Sequence, residues 1–105
     1  MRIEWTYLAD RQRDQVANYI RKQFGAKRMK VFLKEVRSTT KMLNCNPNIG
    51  PIDPLFDDRP IAYRYVIINS LSKMVYYIDD DVIYIAAFWD TRREPKKQAE
   101  QVKEQ

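Results

Sequence analysis

The chain has 105 residues, of which 45% are hydrophobic and 31% charged, and these values are typical of one folded domain with an apolar core. It contains no histidine and a single cysteine, so histidine-based catalytic triads, histidine-ligated metal sites and internal disulfides are excluded. The net charge is +5, and no apolar run approaches the roughly 20 residues that a membrane span needs.

The first predicted element is a strand. Residues 2–7 alternate between polar and apolar side chains, and this period of two predicts a half-buried strand, not the apolar segment of a signal peptide.

A single free thiol is compatible with a reducing compartment. We therefore expect a cytoplasmic protein that does not bind to a membrane.

Two helices are predicted next, over residues 11–24 and 26–43, because apolar residues recur at helical spacing in both ranges. Asp10 is the expected N-terminal cap of the first helix. Gly25 is expected to end it, and so short a link predicts that the two helices form an antiparallel hairpin.

The predicted hairpin carries most of the positive charge. Residues 11–41 contain ten Lys and Arg residues but only two acidic residues, Asp14 and Glu35. Such a segment suits a polyanion or an acidic partner protein, and a solvated helix face is the competing interpretation.

The second half of the chain predicts three more strands. Residues 44–60 contain four of the five prolines, which predicts a loop after the hairpin. The strands are predicted, with short turns between them, over residues 61–69, 73–78 and 82–89. The last of them is apolar on both faces, which indicates a central position in the sheet.

The resulting order, β-α-α-β-β-β, predicts an α+β fold. We expect a single domain over residues 1–105, in which a twisted antiparallel sheet packs against the N-terminal helical hairpin. The polar tail, residues 94–105, is expected to be a short helix or a frayed end.

Basic side chains are the main candidates for chemistry, because the sequence has no glycine-rich phosphate loop and no cluster of metal ligands. No cofactor is expected. If the predicted strands are neighbours, four cations could gather at one surface: Arg64, Lys73, Arg92 and Arg93. Such cations bind phosphates and stabilise developing negative charge. The competing interpretation is that they pair with nearby acids, such as Asp90 or the acidic turn at residues 79–81.

The acidic turn itself has two interpretations. Asp79-Asp80-Asp81 could hold a cation, but it lacks the further oxygen ligands and the glycine of a calcium loop, which favours a solvated hairpin turn.

Aromatic residues of the predicted strands also have two interpretations. They could stack nucleic-acid bases, or they could belong to the core: Tyr65, Tyr76, Tyr77 and Trp89. Together with the basic segment, the first interpretation describes a non-enzymatic module that binds nucleic acid.

The order of elements and three motifs resemble one family. The motifs are the Asn46-Pro47-x-x-Gly50 turn after the second helix, the run from Tyr63 to Pro95, and a strand that leads directly into a basic helix. In these features the chain resembles the RelE/ParE superfamily of toxins from bacterial type II toxin–antitoxin modules. The end of the run, Asp90-Thr91-Arg92-Arg93-x-Pro95, is most similar to a ParE-like subgroup.

The resemblance implies a growth-inhibiting toxin that a cognate antitoxin neutralises, as a homodimer or in a toxin–antitoxin heterotetramer. ParE-like members poison DNA gyrase, whereas RelE-like members cut mRNA on the ribosome without metal, using basic residues of the sheet. The matching cations here are Arg64, Lys73, Arg92 and Arg93. Val66 stands where a second basic residue is expected, and the C-terminal tyrosine is absent. This incomplete set favours a gyrase poison, with metal-independent RNA cleavage as the alternative.

Overall fold

The protein combines one β-sheet with helices, and a computed structural model describes residues 1–92 and 95–102. The elements in these ranges are β1 (Arg2–Trp5), α1 (Tyr7–Phe24), α2 (Ala26–Cys45), a 3₁₀ turn (Pro54–Phe56), β2 (Arg64–Ile68), β3 (Ser72–Asp79), β4 (Val82–Asp90) and α3 (Pro95–Glu100). The predicted α+β class and the predicted order of strands and helices are confirmed. α3 lies in the tail, for which a short helix or a frayed end was expected.

The strands form one sheet in the order β1-β4-β3-β2. β2, β3 and β4 form the predicted antiparallel meander, and β4 has the predicted central position. β1, however, pairs with β4 in parallel, so the expectation of an antiparallel sheet is wrong for this pair. Alternation along β1 has a period of two whichever way its neighbour runs, so the sequence could not show the direction of pairing.

α1 begins at Tyr7, earlier than predicted. Its cap is Thr6, and not Asp10, because Oγ1 of Thr6 accepts a hydrogen bond from the amide of Ala9 at 3.2 Å. Asp10 instead lies in the first turn, where a carboxylate interacts favourably with the helix dipole. Tyr7 continues the alternation of β1, which is why the sequence pattern assigned it to the strand.

A bulge in β4 decides which of its side chains face the helices. The register between β3 and β4 shifts between Val75 and Tyr76, and this shift leaves Ala86 without a partner. Beyond the bulge, Phe88 packs with the helices and Trp89 packs on the opposite face. Both faces of β4 are consequently buried.

Both faces of the sheet are covered. α1 and α2 pack on one side, here called the helix face, through residues such as Phe32, Val36 and Leu43. The other side, here called the second face, is covered by residues 51–63 and by α3. The sequence predicted the helical hairpin but not this second cover.

Candidate functional site

Arg64 binds the turn at residues 46–50. It begins β2, and its Nη1 donates hydrogen bonds to the carbonyl oxygens of Gly50, at 2.8 Å, and Asn48, at 3.3 Å. The side chain is half-buried beside the turn. Its guanidinium therefore helps to fix the turn that follows α2 against the sheet.

Tyr76 holds the same turn from within the core. Its buried hydroxyl donates to the carbonyl oxygen of Pro47 at 2.7 Å and accepts from the amide of Gly50 at 3.0 Å. Burial raises the pKa of Tyr76 above its ordinary value of 10.0. Gly50 has no space for a side chain, because a Cβ would lie 2.4 Å from the carbonyl oxygen of Tyr65. The motif that carried the resemblance is thus a close-packed turn.

Lys73 lies on the second face and pairs with a buried carboxylate. Its Nζ is 2.7 Å from Oδ2 of Asp53, whose side chain is 1% exposed. The same ammonium lies 4.7 Å from the ring centre of Tyr65 and 5.8 Å from that of Trp89. Oδ1 of Asp53 accepts a hydrogen bond from the amide of Leu55 at 3.0 Å, which caps the 3₁₀ turn. Lys73 therefore links β3 to residues 51–63, the loop that covers the second face.

Arg92 is exposed just beyond the end of β4, with 69% of its side chain accessible to solvent. Its Nε and Nη2 donate to the two carboxylate oxygens of Asp90 at 3.1 and 2.8 Å, and these bonds raise the pKa of Arg92. This is the pairing that the sequence offered as the competing interpretation. Arg93, the fourth candidate, lies outside the described residues.

The three described candidates do not gather at one surface. Residues directly opposite one another in the register share a face, so Arg64 lies on the helix face with Tyr76, and Lys73 lies on the second face with Trp89. Arg92 lies beyond the strand end. The sequence placed the first two in neighbouring strands but could not show that they point to opposite faces.

The aromatic candidates are packed within the protein. Tyr76 is buried in the helix-face cluster and Trp89 in the second-face cluster, and Tyr65 and Tyr77 pack against the second-face cluster while half-buried. This placement agrees with the interpretation of these side chains as core residues.

The helical hairpin presents an exposed basic surface. It is formed by eight residues that are all exposed: Arg21, Lys22, Lys27, Arg28, Lys30, Lys34, Arg37 and Lys41. None of these eight forms an ion pair with any residue of the ranges 1–92 and 95–102, whereas the nearby Arg13 pairs with Asp10 and Asp14. This basic hairpin surface therefore faces solvent without compensating acidic partners from the described chain.

A groove of about 420 Å³, here called the apolar groove, lies between α1 and the end of the sheet. Its lining includes two buried side chains, Phe32 and Phe88, two half-buried ones, Val16 and Ile20, and three exposed ones, Tyr19, Phe24 and Leu71. Arg92 and Asp90 also contribute to the lining. Sequence reasoning missed this site, although an aromatic pair in the last turns of a basic helix was an available signal.

The acidic turn joins β3 to β4, as predicted. Asp79 pairs with Val82, and Asp80 takes a left-handed conformation with a φ of 58°. No group of three or more His, Cys, Asp or Glu side chains suitable for a metal ion occurs in the described part of the chain. In that same part, no helix has the length and apolar character needed to cross a membrane.

Comparisons with known proteins identify the family. The family model for the ParE toxin of type II toxin-antitoxin system, parDE, matches residues 3–95. No curated protein matches the sequence. A chain of the chromosomal ParDE TA system from P. aeruginosa has a similar fold, with a TM-score of 0.69 and 16% identity over 86% of this chain and 95% of that chain. Since the family model spans most of the sequence, the protein belongs to the ParE toxin family of type II toxin–antitoxin systems.

Proposed function

We propose that this member of the ParE toxin family inhibits growth by inactivating DNA gyrase and is neutralised by a cognate antitoxin. The observation that carries the proposal is the family match across residues 3–95. The alternative, RNA cleavage, requires cations that can hold the scissile phosphate and its developing charge. Arg64 and Lys73 are each engaged by oxygen atoms of the chain itself, and this engagement supports binding of a target over cleavage of RNA.

The experiment that tests this proposal compares DNA and RNA after brief induction of the protein. We expect plasmid supercoiling to fall, or gyrase-linked DNA breaks to accumulate, while mRNA remains intact. Purified protein should also inhibit supercoiling by purified gyrase. Cleaved mRNA on translating ribosomes, together with normal supercoiling, would contradict the gyrase assignment and support the RelE-like alternative.

Among the described candidate cations, Arg92 is the one we propose to contact the target, because its side chain is 69% exposed. Arg92→Ala is expected to weaken growth inhibition without changing the unfolding midpoint. Arg2→Ala is a matched control, since Arg2 is 67% exposed and pairs with a carboxylate two residues away, that of Glu4, at 3.2 Å. Equal growth inhibition by the two variants would remove Arg92 from the proposed contact.

We also propose that the antitoxin inserts an acidic amphipathic helix into the apolar groove. The groove combines buried apolar side chains with the exposed rings of Tyr19 and Phe24, and it lies beside the basic hairpin surface. An amphipathic helix would bury its apolar side there, while its acidic side would face the basic residues.

This docking proposal can be tested with the antitoxin encoded by the adjacent reading frame. Phe24 is 61% exposed, so Phe24→Ser should leave the fold intact and weaken binding by roughly 30-fold, the effect of losing an aromatic anchor of about 2 kcal/mol. Tyr7→Ser is the matched control, because Tyr7 is 75% exposed and does not line the groove. Calorimetric titration that shows the same affinity for both variants would place the antitoxin elsewhere.

A further inference from the structure

α3 is a short helix that depends on its surroundings. It contains six residues, and an isolated helix of this length is unstable in water because nucleation is unfavourable. Among the described residues, Ala99 of α3 and Val102 just after it pack into the second-face cluster. Other interactions must therefore contribute to holding it in place.

Arg59 supplies such an interaction from the loop that covers the second face. Its Nη1 donates to the carbonyl oxygen of Val102 at 2.6 Å, and its Nη2 donates to that of Ala99 at 2.9 Å. The guanidinium carbon lies 5.1 Å from the ring centre of Phe56, and the side chain is 16% exposed. A cation in this position gives the carbonyl group of Val102 a donor and the carbonyl group of Ala99 a second donor beside the amide of Val102. It also interacts favourably with the helix dipole.

The opposite side of α3 reaches the apolar groove. Gln98 is buried and lines the groove together with Gln12 of α1. Oε1 of Gln12 accepts a hydrogen bond from the amide of Phe88 at 2.8 Å. Phe88 belongs to the part of β4 that continues beyond Ile85, the last residue of β4 that pairs with β1. Nε2 of Gln12 donates to Oε1 of Gln101 at 3.4 Å. The side chain of Gln12 thus connects β4 to the C-terminal segment.

We propose that Arg59 is a latch: by capping α3 from the second face, it fixes the α3 wall of the apolar groove on the helix face. The two faces of the sheet are then coupled through α3 and the side chain of Gln12. This coupling is a property of the unbound protein and is independent of which molecule occupies the groove. By linkage, a groove occupant that touches α3 also stabilises its docked position.

Amide hydrogen exchange of Arg59→Met, followed by NMR, tests the latch. Methionine can still pack on Phe56 but cannot donate to the carbonyl groups. The amides of Gln101 and Val102, which bond within the last turn at 3.2 and 3.0 Å, should exchange about tenfold to a hundredfold faster. The amide of Phe88 should also exchange faster, because its acceptor Gln12 loses the contact with Gln101, just after α3.

The amide of Gly50 is the internal reference, since it bonds to Tyr76 and not to the latch. Arg11→Met is the matched control, because Arg11 is an exposed arginine that donates to the hydroxyl of Tyr7. It should leave exchange at Val102 and Phe88 unchanged.

Three results would overturn the proposal. Unchanged exchange at Val102 in Arg59→Met would show that apolar contacts alone hold α3. Faster exchange at Val102 with unchanged exchange at Phe88 would disprove the coupling. Equal acceleration at Gly50 would show a global loss of stability, and Arg59 would then be an ordinary core residue.

A second variant tests the coupling without changing the latch. Gln101→Ala removes an exposed side chain that contacts Gln12, so exchange at Phe88 should accelerate while exchange at Val102 stays unchanged. Unchanged exchange at Phe88 would contradict the connection through Gln12.

Discussion

Replacing Lys73 by methionine would leave the carboxylate of Asp53 buried without a cation beside it. Asp53 is 1% exposed, and its Oδ2 has no hydrogen-bond donor of suitable geometry among the described residues; its charge partner is Nζ of Lys73, at 2.7 Å. Methionine retains an apolar stem near Tyr65 and Trp89, so the substitution mainly removes the charge. Breaking a buried ion pair in this way costs about 3–5 kcal/mol.

A loss of this size is a large part of the total stability of a small domain, which is about 5–15 kcal/mol. It should lower the denaturation temperature strongly, because each kcal/mol is equivalent to about 4–8 °C in a domain of 60–100 residues. Asp53→Asn should cost about 1–3 kcal/mol, since the ammonium that remains is closer to solvent. In Asp53→Asn/Lys73→Met, no unpaired charge remains, and the coupling energy should be about 2–3 kcal/mol.

This coupling energy can be measured by urea unfolding, with tryptophan fluorescence as the signal. The measurement compares the parent, the two single variants and the double variant. Lys30→Met is the control, because Lys30 is exposed and its loss should change the free energy of unfolding by less than about 0.5 kcal/mol. Unchanged stability of Lys73→Met together with lost growth inhibition would refute this reasoning. Lys73 would then be a target-binding cation, as the family resemblance implied.

Two further predictions concern the turn at residues 46–50. Gly50→Ala should cost about 3 kcal/mol or more in thermal unfolding, because its Cβ would meet backbone at 2.4 Å. Gly25→Ala meets nothing within 4 Å, so its cost, about 1–3 kcal/mol, should come only from backbone strain at a φ of 94° and a ψ of 169°. A loss below about 1 kcal/mol in Gly50→Ala would contradict the steric explanation. Burial raises the pKa of Tyr76 in the folded state, so the folded protein favours the neutral phenol. This preference contributes fully to the free energy of unfolding below about pH 10, the pKa in the unfolded chain. The contribution is lost as the pH rises through the folded-state pKa. Denaturant titrations should therefore show a shallower alkaline loss of stability in Tyr76→Phe, and parallel curves for parent and variant would refute the assignment.

The candidate site was predicted less completely than the fold. The sequence correctly placed Arg64 and Lys73 in neighbouring strands, but it showed neither their faces nor their acceptors. Asp53 is distant from Lys73 in sequence, and the acceptor of Arg64, Gly50, belongs to a different segment. Contacts of this kind leave no periodic pattern, because they form only when a loop folds back onto the sheet.

The sequence by itself determined the strands, the helical hairpin, the acidic turn and hence the fold class. These features depend on the spacing of apolar residues and on the conformations that residues such as Gly25 allow, which are properties of near neighbours. Only the tertiary structure decided the parallel pairing of β1, the bulge at Ala86 and the docking of α3 by Arg59. Each of these joins parts of the chain that are far apart in sequence, so packing of the complete fold selects it.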